Sequence, residues 1–448
     1  MGVAGRLGAS AAAPDVLRSP GAGARRVPSR GLRPVAVVRG ALLLLFVGNL
    51  GRIPLLTTER KEAPLMVNEL ALLAALAVGA LACVQARRLR LDGAAFAALA
   101  FALVGGISAV RAAGEFGLSG LELVFSLAYL ARWLAYFGLY VILLNAARPD
   151  DAEPIWRTLE KVVLAFAAFG VVQSIFLPGF AQLVHPDDTL AVTWDRQGHR
   201  LVSTLLDPNF AGMLVLLPLL VQLARMTYGE RVPRWKPLLL CAALLMTVSR
   251  SSVLALLVGG LVILAARGLD RRLLRTAGLA ALCTLPFLPL LVRYALTLNK
   301  FQVDESAMQR TVSWIRALTV FADHPLLGVG FNTYGYVGRS YGWDGGGTTF
   351  GLDGGLLFVA VMTGIVGVAL YALMVVLLVR RARRLWRDAR YDAPARGTAL
   401  GAAAGTAALL VHSIFVNSLL LPFLMQPVWL LWGLVHLHGR RRGVPGLG

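Results

Sequence analysis

Arg250 stands in the run Ser249-Arg250-Ser251-Ser252, between apolar stretches of 13 and 17 residues at 237–249 and 251–267. One straight helix across both would be too long for a single crossing and would hold a charge in mid-membrane. Two short helices meeting at the Ser-Arg turn fit better, since 13 residues rise only about 20 Å against a hydrocarbon core of about 30 Å. Arg250 is therefore expected below the surface in a protein-lined pocket, where a charge is costly and functional by default. An arginine snorkelling to the headgroups beside a serine cap is the plainer alternative. Arg200, in Gly198-His199-Arg200-Leu201, and Arg310 add two more guanidinium groups on long connectors. Guanidinium stays charged at any working pH and takes phosphate oxygens two at a time. Three of them converging would neutralise a pyrophosphate as it leaves; a solvated loop charge and a polar-face charge are the respective alternatives for Arg200 and Arg310.

Asp353, in Leu352-Asp353-Gly354-Gly355, is placed at the start of a span, where a helix N-terminus favours its ionised form. It reads either as an N-cap or as a general base taking a proton from an attacking hydroxyl. His185, His199, His324 and Asp344 are rivals on the same face. Asp207-Pro208-Asn209 reads as structural, with Asp207 as N-cap and Pro208 at the first helical position. Arg132 lies deep inside span 121–146 and would pair with a carboxylate, bind a lipid phosphate, or simply pack. No HExxH, paired-cysteine or clustered-carboxylate pattern points to a metal, and no cofactor is indicated.

The elements that must position these residues are membrane helices. Of 448 residues, 57% are hydrophobic and 15% charged, against roughly a quarter charged in a soluble domain. Apolar runs near 20 residues recur throughout. The fold class is an all-α polytopic transmembrane helical bundle of twelve spans: 35–51, 66–86, 91–110, 121–146, 158–178, 208–225, 237–249, 251–267, 276–297, 352–379, 397–416 and 419–437. The formal charge of +20 sits in short clusters between spans, such as Arg87-Arg88-Leu89-Arg90 and Arg380-Arg381-Ala382-Arg383-Arg384. That is the pattern of cytoplasmic loops rather than of a nucleic-acid surface. Connectors 87–90, 147–157, 226–236, 268–275 and 380–396 are then inside, both termini are cytoplasmic, and the long loops 179–207 and 298–351 are outside. The connector 52–65, with Arg52, Arg60 and Lys61, fits this alternation least well. Residues 1–34 read as a disordered basic tail, 35–437 as the membrane domain and 438–448 as a second basic tail. Within the larger outer loop, Met308, Val312, Ile315, Leu318 and Phe321 recur at helical spacing, so 305–322 is expected to be an amphipathic helix, on the membrane surface or as a lid. Cys83, Cys241 and Cys283 all lie in apolar runs, which indicates neither disulfides nor zinc.

The order of several short pieces resembles the O-antigen polymerase/ligase superfamily of bacterial membrane glycosyltransferases. They run from Arg200 into Asp207-Pro208-Asn209-Phe210-Ala211, then Thr247-Val248-Ser249-Arg250-Ser251 and Gln309-Arg310-Thr311-Val312-Ser313-Trp314-Ile315. His324-Pro325-Leu326-Leu327-Gly328-Val329-Gly330-Phe331 and Asp353-Gly354 follow, with Gly364 and Gly367 closing the series. The resemblance implies transfer of glycans carried on polyprenyl pyrophosphate at the periplasmic face of the inner membrane, without a metal. It also implies that Arg200, Arg250 and Arg310 hold the pyrophosphate. Ligases of this superfamily show a histidine, a small polar residue, nine residues and Gly-x-x-Gly. Counting back from Gly364, this chain has Asp353-Gly354 there, closer to polymerase-like members.

The leading expectation is an inverting polymerase of lipid-linked oligosaccharide repeat units, building surface polysaccharide of the O-antigen or exopolysaccharide type. Its partners would be membrane lipid, a chain-length regulator and export proteins. A ligase or protein O-oligosaccharyltransferase would keep the pocket and change the acceptor. A precursor transporter would show an internal repeat and a midplane site, and no repeat is evident. A non-catalytic scaffold would tolerate alanine at all three arginines.

Overall fold

A computed structural model describes residues 34–57, 62–87, 89–184, 199–268, 305–343 and 352–440, with isolated positions between 271 and 278. Residues 279–297 of the predicted span, 1–33 and 441–448 of the two tails, His185 and Asp344 lie outside the described residues. The chain is all-α and polytopic. Helix α1 (Pro34–Leu44) runs into a 3-10 segment, Leu45–Gly51, broken at Gly48. Then come α2 (Val67–Gln85), α3 (Gly93–Glu115), α4 (Gly120–Asn145), α5 (Ala152–Phe176) and the short α6 (Phe180–Val184). After the 199–207 segment follow α7 (Pro208–Thr227), α8 (Trp235–Met246) and α9 (Arg250–Arg267). The remainder is α10 (Glu305–Asp323), α11 (Tyr334–Val337), α12 (Gly355–Arg387), α13 (Ala393–Phe415) and α14 (Pro422–Arg440).

Nine described helical segments have the length and apolar character to cross a membrane. Eleven of the twelve predicted spans coincide with helices, α8 and α14 included. Caps mark several starts as the sequence leads one to expect. Asp92 accepts from Ala95 N, Ser119 and Glu122 form a capping box, and Asp392 accepts from Ala395 N just ahead of Pro394. Leucines on α2, α3 and α9 point outward, as a bilayer solvent allows.

The centre of the bundle is α7, almost wholly buried. It packs on α13 through a ridge of small residues spaced by four: Gly397 lies against Arg225, Gly401 against Val221 and Gly405 against Leu217. Any side chain at Gly401 would fall on the Val221 backbone, so the ridge sets how closely the two axes approach. On α9, Gly259 meets Leu220 and the Ala404 carbonyl. These contacts fix α7, α9 and α13 together and bring the starts of α7 and α9 to the same end as the finish of α13.

Two features were not expected. The connector 52–65 holds an antiparallel hairpin, β1 (Arg52–Thr57) and β2 (Glu62–Met66), with Arg52 opposite Met66 and an irregularity between Pro54 and Leu56. Two prolines and short strands hide such a hairpin from any periodicity test. The second is a break in α12 at Gly364, whose φ of 62° takes it out of the helix. The residues 325–330 fill that break. Val329 N and Gly330 N donate to the carbonyls of Val361 and Met362, while Ile365 N and Val366 N donate to Pro325 and Leu326. Backbone groups freed inside a membrane helix need protein partners, and the His324–Phe331 segment supplies them. A Cβ at Gly364 would fall on the Leu326 carbonyl, and one at Gly328 on the Val361 carbonyl. Both glycines are thus required by this docking.

Candidate functional site

The segment 199–207 is threaded between three helices. The His199 carbonyl accepts from Ser174 Oγ at 2.5 Å, Leu201 N donates to Met246 O at 2.9 Å, and Gln173 Oε1 accepts from Val202 N and Ser203 N, both at 3.1 Å. Arg200 reaches across to the α8–α9 turn. Its Nε donates to Thr247 O at 2.9 Å and its Nη2 to Val248 O at 3.3 Å. Val248 has a left-handed φ of 49°, a conformation that a β-branched residue adopts only when held. Arg200 therefore fastens the turn that carries Arg250.

Asp207 caps α7, its Oδ1 accepting from Asn209 N at 2.7 Å and Phe210 N at 3.0 Å. Asn209 Oδ1 in turn accepts from Ser249 Oγ at 2.9 Å, and Ser252 Oγ reaches Asn209 O at 3.3 Å. Ser249 caps α9. A polar chain continues into α13: Ser252 Oγ lies 3.3 Å from His412 Nε2, and His412 Nδ1 lies 2.6 Å from Ser418 Oγ.

The amphipathic helix α10 closes this end. Ala317 and Val320 bury against Val329, Val337 and Val361, while Met308, Val312, Ile315 and Leu318 are exposed. The inner face also grips the Asp353 backbone, with Trp314 Nε1 donating to Asp353 O at 2.8 Å and Asp353 N donating to Ser313 Oγ at 3.4 Å. Arg310 Nε then stands 3.7 Å from Asp353 Oδ2. The expected helix is present, and it both presents an apolar row outward and covers the Asp353 loop.

Charge links these pieces. The Arg200 guanidinium and the Asp353 carboxylate both act on Asp207, and Arg310 acts on His412. Arg200, Arg310, Asp207, Asp353 and the Ser249–Arg250 turn thus share one end of the bundle. Asp353 is not the N-cap of α12; Gly354 is, at φ 108°, pressed against the Ile414 carbonyl. Its carboxyl is half exposed, yet surrounding protein holds it above the ordinary carboxylate range, with Arg310 pulling the other way. Burial likewise raises Asp207, opposed by its backbone donors and by Arg200. Arg250 departs from expectation, because it is the first residue of α9 and is exposed rather than enclosed. The turn that carries it joins the 12-residue α8 to α9 and leaves its side chain accessible.

The other candidates lie elsewhere. His199 is exposed and contributes its carbonyl. His324 faces Glu115 at 3.4 Å and stacks edge-on with Phe116. Arg132 takes the first of its expected options, pairing with Glu69 at 2.7 Å over the Tyr129 ring. Sequence reasoning missed His412, which hides in an apolar span, and Asn417, whose Nδ2 donates to Leu352 O next to Asp353. Among the described residues no three His, Cys, Asp or Glu side chains are grouped to hold a metal ion. The charges of this cluster are three guanidinium groups and two carboxyls, a balance suited to a polyanion.

Residues 238–372 match the family model described as O-antigen ligase. That match supports the O-antigen polymerase/ligase superfamily. The superfamily match spans α8 to mid-α12 and so includes Arg250, Arg310, Asp353 and Gly364, while Arg200, Asp207 and His412 lie outside it. No curated protein matches the chain. Nine candidate membrane spans among the described residues fit a multi-pass membrane protein, and the match supports O-antigen ligase/polymerase-type function in general, a family that implies lipid-linked glycan substrates.

Proposed function

We propose that the protein polymerises lipid-linked oligosaccharide repeat units into surface polysaccharide, by inverting glycosyl transfer at the periplasmic face of the bacterial inner membrane. The observation that carries this reading is the Arg310–Asp353 pair beside the turn that Arg200 fastens. A hydroxyl of one lipid-linked unit attacks the anomeric carbon of another and gives its proton to the Asp353 carboxylate. The bond from that carbon to the pyrophosphate oxygen breaks, and the electron pair leaves with the lipid pyrophosphate. Arg310 and Arg250 stabilise the departing charge. Arg200 contributes charge and, through Thr247 and Val248, holds Arg250 in place.

Asp353 in the place of the ligase histidine favours polymerisation over transfer to lipid A core or protein. Purified protein given a polyprenyl-pyrophosphate oligosaccharide is expected to yield a ladder of lengthened glycans. A single transfer to a different acceptor would reassign it as a ligase, and no glycosidic bond at all would end the reading.

The proton acceptor sets a pH dependence. Asp353 must be ionised to work, so activity falls as pH drops through its raised pKa. The acid limb of kcat is expected above the unperturbed aspartate value of about 3.9. Because Arg310 lowers that pKa, the residual activity of Arg310→Gln should show the limb moved to higher pH. An unchanged limb in Asp353→Asn would remove Asp353 from this role.

A further inference from the structure

Helix α12 keeps two distinct faces beyond its break at Gly364. Met374, Leu378, Ala382 and Leu385 are buried, while Ile365, Ala369, Leu373 and Val376 are exposed at the same helical spacing. On a helix that crosses a membrane, such an exposed apolar row has lipid as its solvent. The row does not stop where the apolar run does. Arg380, Arg383, Arg384 and Arg387 continue it at steps of three and four, and all are exposed. From Gly355 to Val379 the chain rises at most about 36 Å, enough to cross a hydrocarbon core of about 30 Å. The four guanidinium groups therefore emerge where the headgroup layer begins, on the face that already meets lipid. They lie at the end of α12 away from the candidate site.

Pairing sets these arginines apart from the fifth in the run. Arg381 turns inward and is spent: it pairs with Asp92, donates to Tyr140 OH at 3.3 Å and reaches His436 Nδ1 at 2.7 Å. Among the described residues, Arg380, Arg383, Arg384 and Arg387 form no ion pair, and Asp388 next to them is held by Arg390 at 2.7 Å. A helix C-terminus favours cations within its last turn. That accounts for Arg384 and Arg387 but not for Arg380 and Arg383. The start of α3 adds charge at the same level. Asp92 is fixed there by Arg381, a Cβ at Gly93 would lie 3.5 Å from Leu377, and Arg87 and Arg90 just ahead of them are exposed.

We infer that this face of α12 binds the headgroups of anionic phospholipid in the adjoining leaflet. Guanidinium takes phosphate oxygens in pairs, and the arginine stem lies along hydrocarbon while its head stays at the polar layer. Clustered arginines directly beyond a membrane span are placed to feel the negative potential of such a leaflet. An acidic soluble protein suits the geometry less well, because the row continues into turns covered by lipid. The inference is independent of the proposed glycosyl transfer.

Purified full chain in detergent, titrated with phosphatidylglycerol or with zwitterionic phosphatidylcholine and followed by native mass spectrometry, tests it. Arg383→Gln with Arg387→Gln removes two charges from the row. Arg231→Gln with Arg234→Gln removes two exposed charges from the α7–α8 connector and serves as the matched control. Wild type is expected to prefer phosphatidylglycerol. The row variant should bind it about 10- to 30-fold more weakly, at roughly fivefold per arginine, with phosphatidylcholine binding unchanged and the control within threefold. Phosphatidylglycerol should also raise the Tm of wild type more than that of the row variant, since only a bound lipid stabilises the fold. Should the double variant not fold, Arg380→Gln alone gives the same comparison with about a fivefold loss. Equal phosphatidylglycerol affinity in wild type and row variant overturns the site. An equal loss in row variant and control overturns it too, by reducing the effect to overall charge.

Discussion

Alanine at Arg310 is expected to lower kcat by about 10²–10³, the usual loss for one preorganised donor facing developing charge. The same change at Arg250 should cost less. The Arg310 side chain is three-quarters covered, whereas Arg250 is exposed, and water screens the second more than the first. Arg310→Ala should also cost more than Asp353→Asn. An oxocarbenium-like transition state, as in glycoside hydrolysis, has its leaving bond largely broken before the attacking hydroxyl loses its proton. Stabilising the pyrophosphate then outweighs accepting the proton. Single-turnover rates with lipid-linked donor give both numbers, and an aspartate effect exceeding the arginine effect would sink this division of labour.

The 3.7 Å between Arg310 and Asp353 adds a condition. Groups in one ion pair do not contribute independently, so the double variant should lose less than the two single losses combined. Arg310→Lys separates charge from shape. Lysine keeps the charge as a point and loses the fork that takes two oxygens at once. Partial recovery of rate marks a predominantly electrostatic role; no recovery marks bidentate contact.

The parts of this fold that could be read from the sequence are those governed by one local rule. Span 208–225 follows from apolar length, the α7 start from Asp207-Pro208, and the break at Ser249 from two runs that together are too long for one crossing. The amphipathic helix follows from Met308, Val312, Ile315 and Leu318. What stayed hidden depends on partners far along the chain. His324–Phe331 reads as a turn, yet its backbone completes a broken helix at Gly364, and nothing local in either piece specifies the other. Arg200 reaches main-chain carbonyls, which any sequence carries. His412 is one polar residue in an apolar run, and its partners, Ser252 and Ser418, come from two other elements. The exposure of Arg250 is hidden from the sequence for a related reason, because helix length fixes depth only once the neighbouring ends are placed.

Replacing Arg225 with methionine is expected to destabilise the protein by roughly 3–5 kcal/mol, the cost of breaking a buried pair from one side. Arg225 lies near the end of α7 away from the candidate site, with its side chain 2% exposed. Nη2 donates to Glu153 Oε1 at 2.7 Å and Nη1 to Glu153 Oε2 at 3.2 Å, a forked contact across to α5. Nη1 also reaches Glu230 at 3.3 Å, Thr398 Oγ1 accepts from Nη2 at 2.8 Å, and the guanidinium stands 4.8 Å over Trp156. One side chain thus ties α5, α7 and α13 together where Gly397 presses α13 onto it. Methionine fills similar volume but leaves two carboxylates facing each other without their cation. Adding Glu153→Gln should recover part of the loss, since the orphaned charge is the main cost. The 18 residues from Asp207 to Arg225 span about 27 Å of helix, so activity per folded molecule should stay near wild type. Thermal unfolding in detergent read beside specific activity decides the matter: an unchanged Tm would show the network contributes little, and lost activity at unchanged Tm would tie this end of α7 to the chemistry at the other.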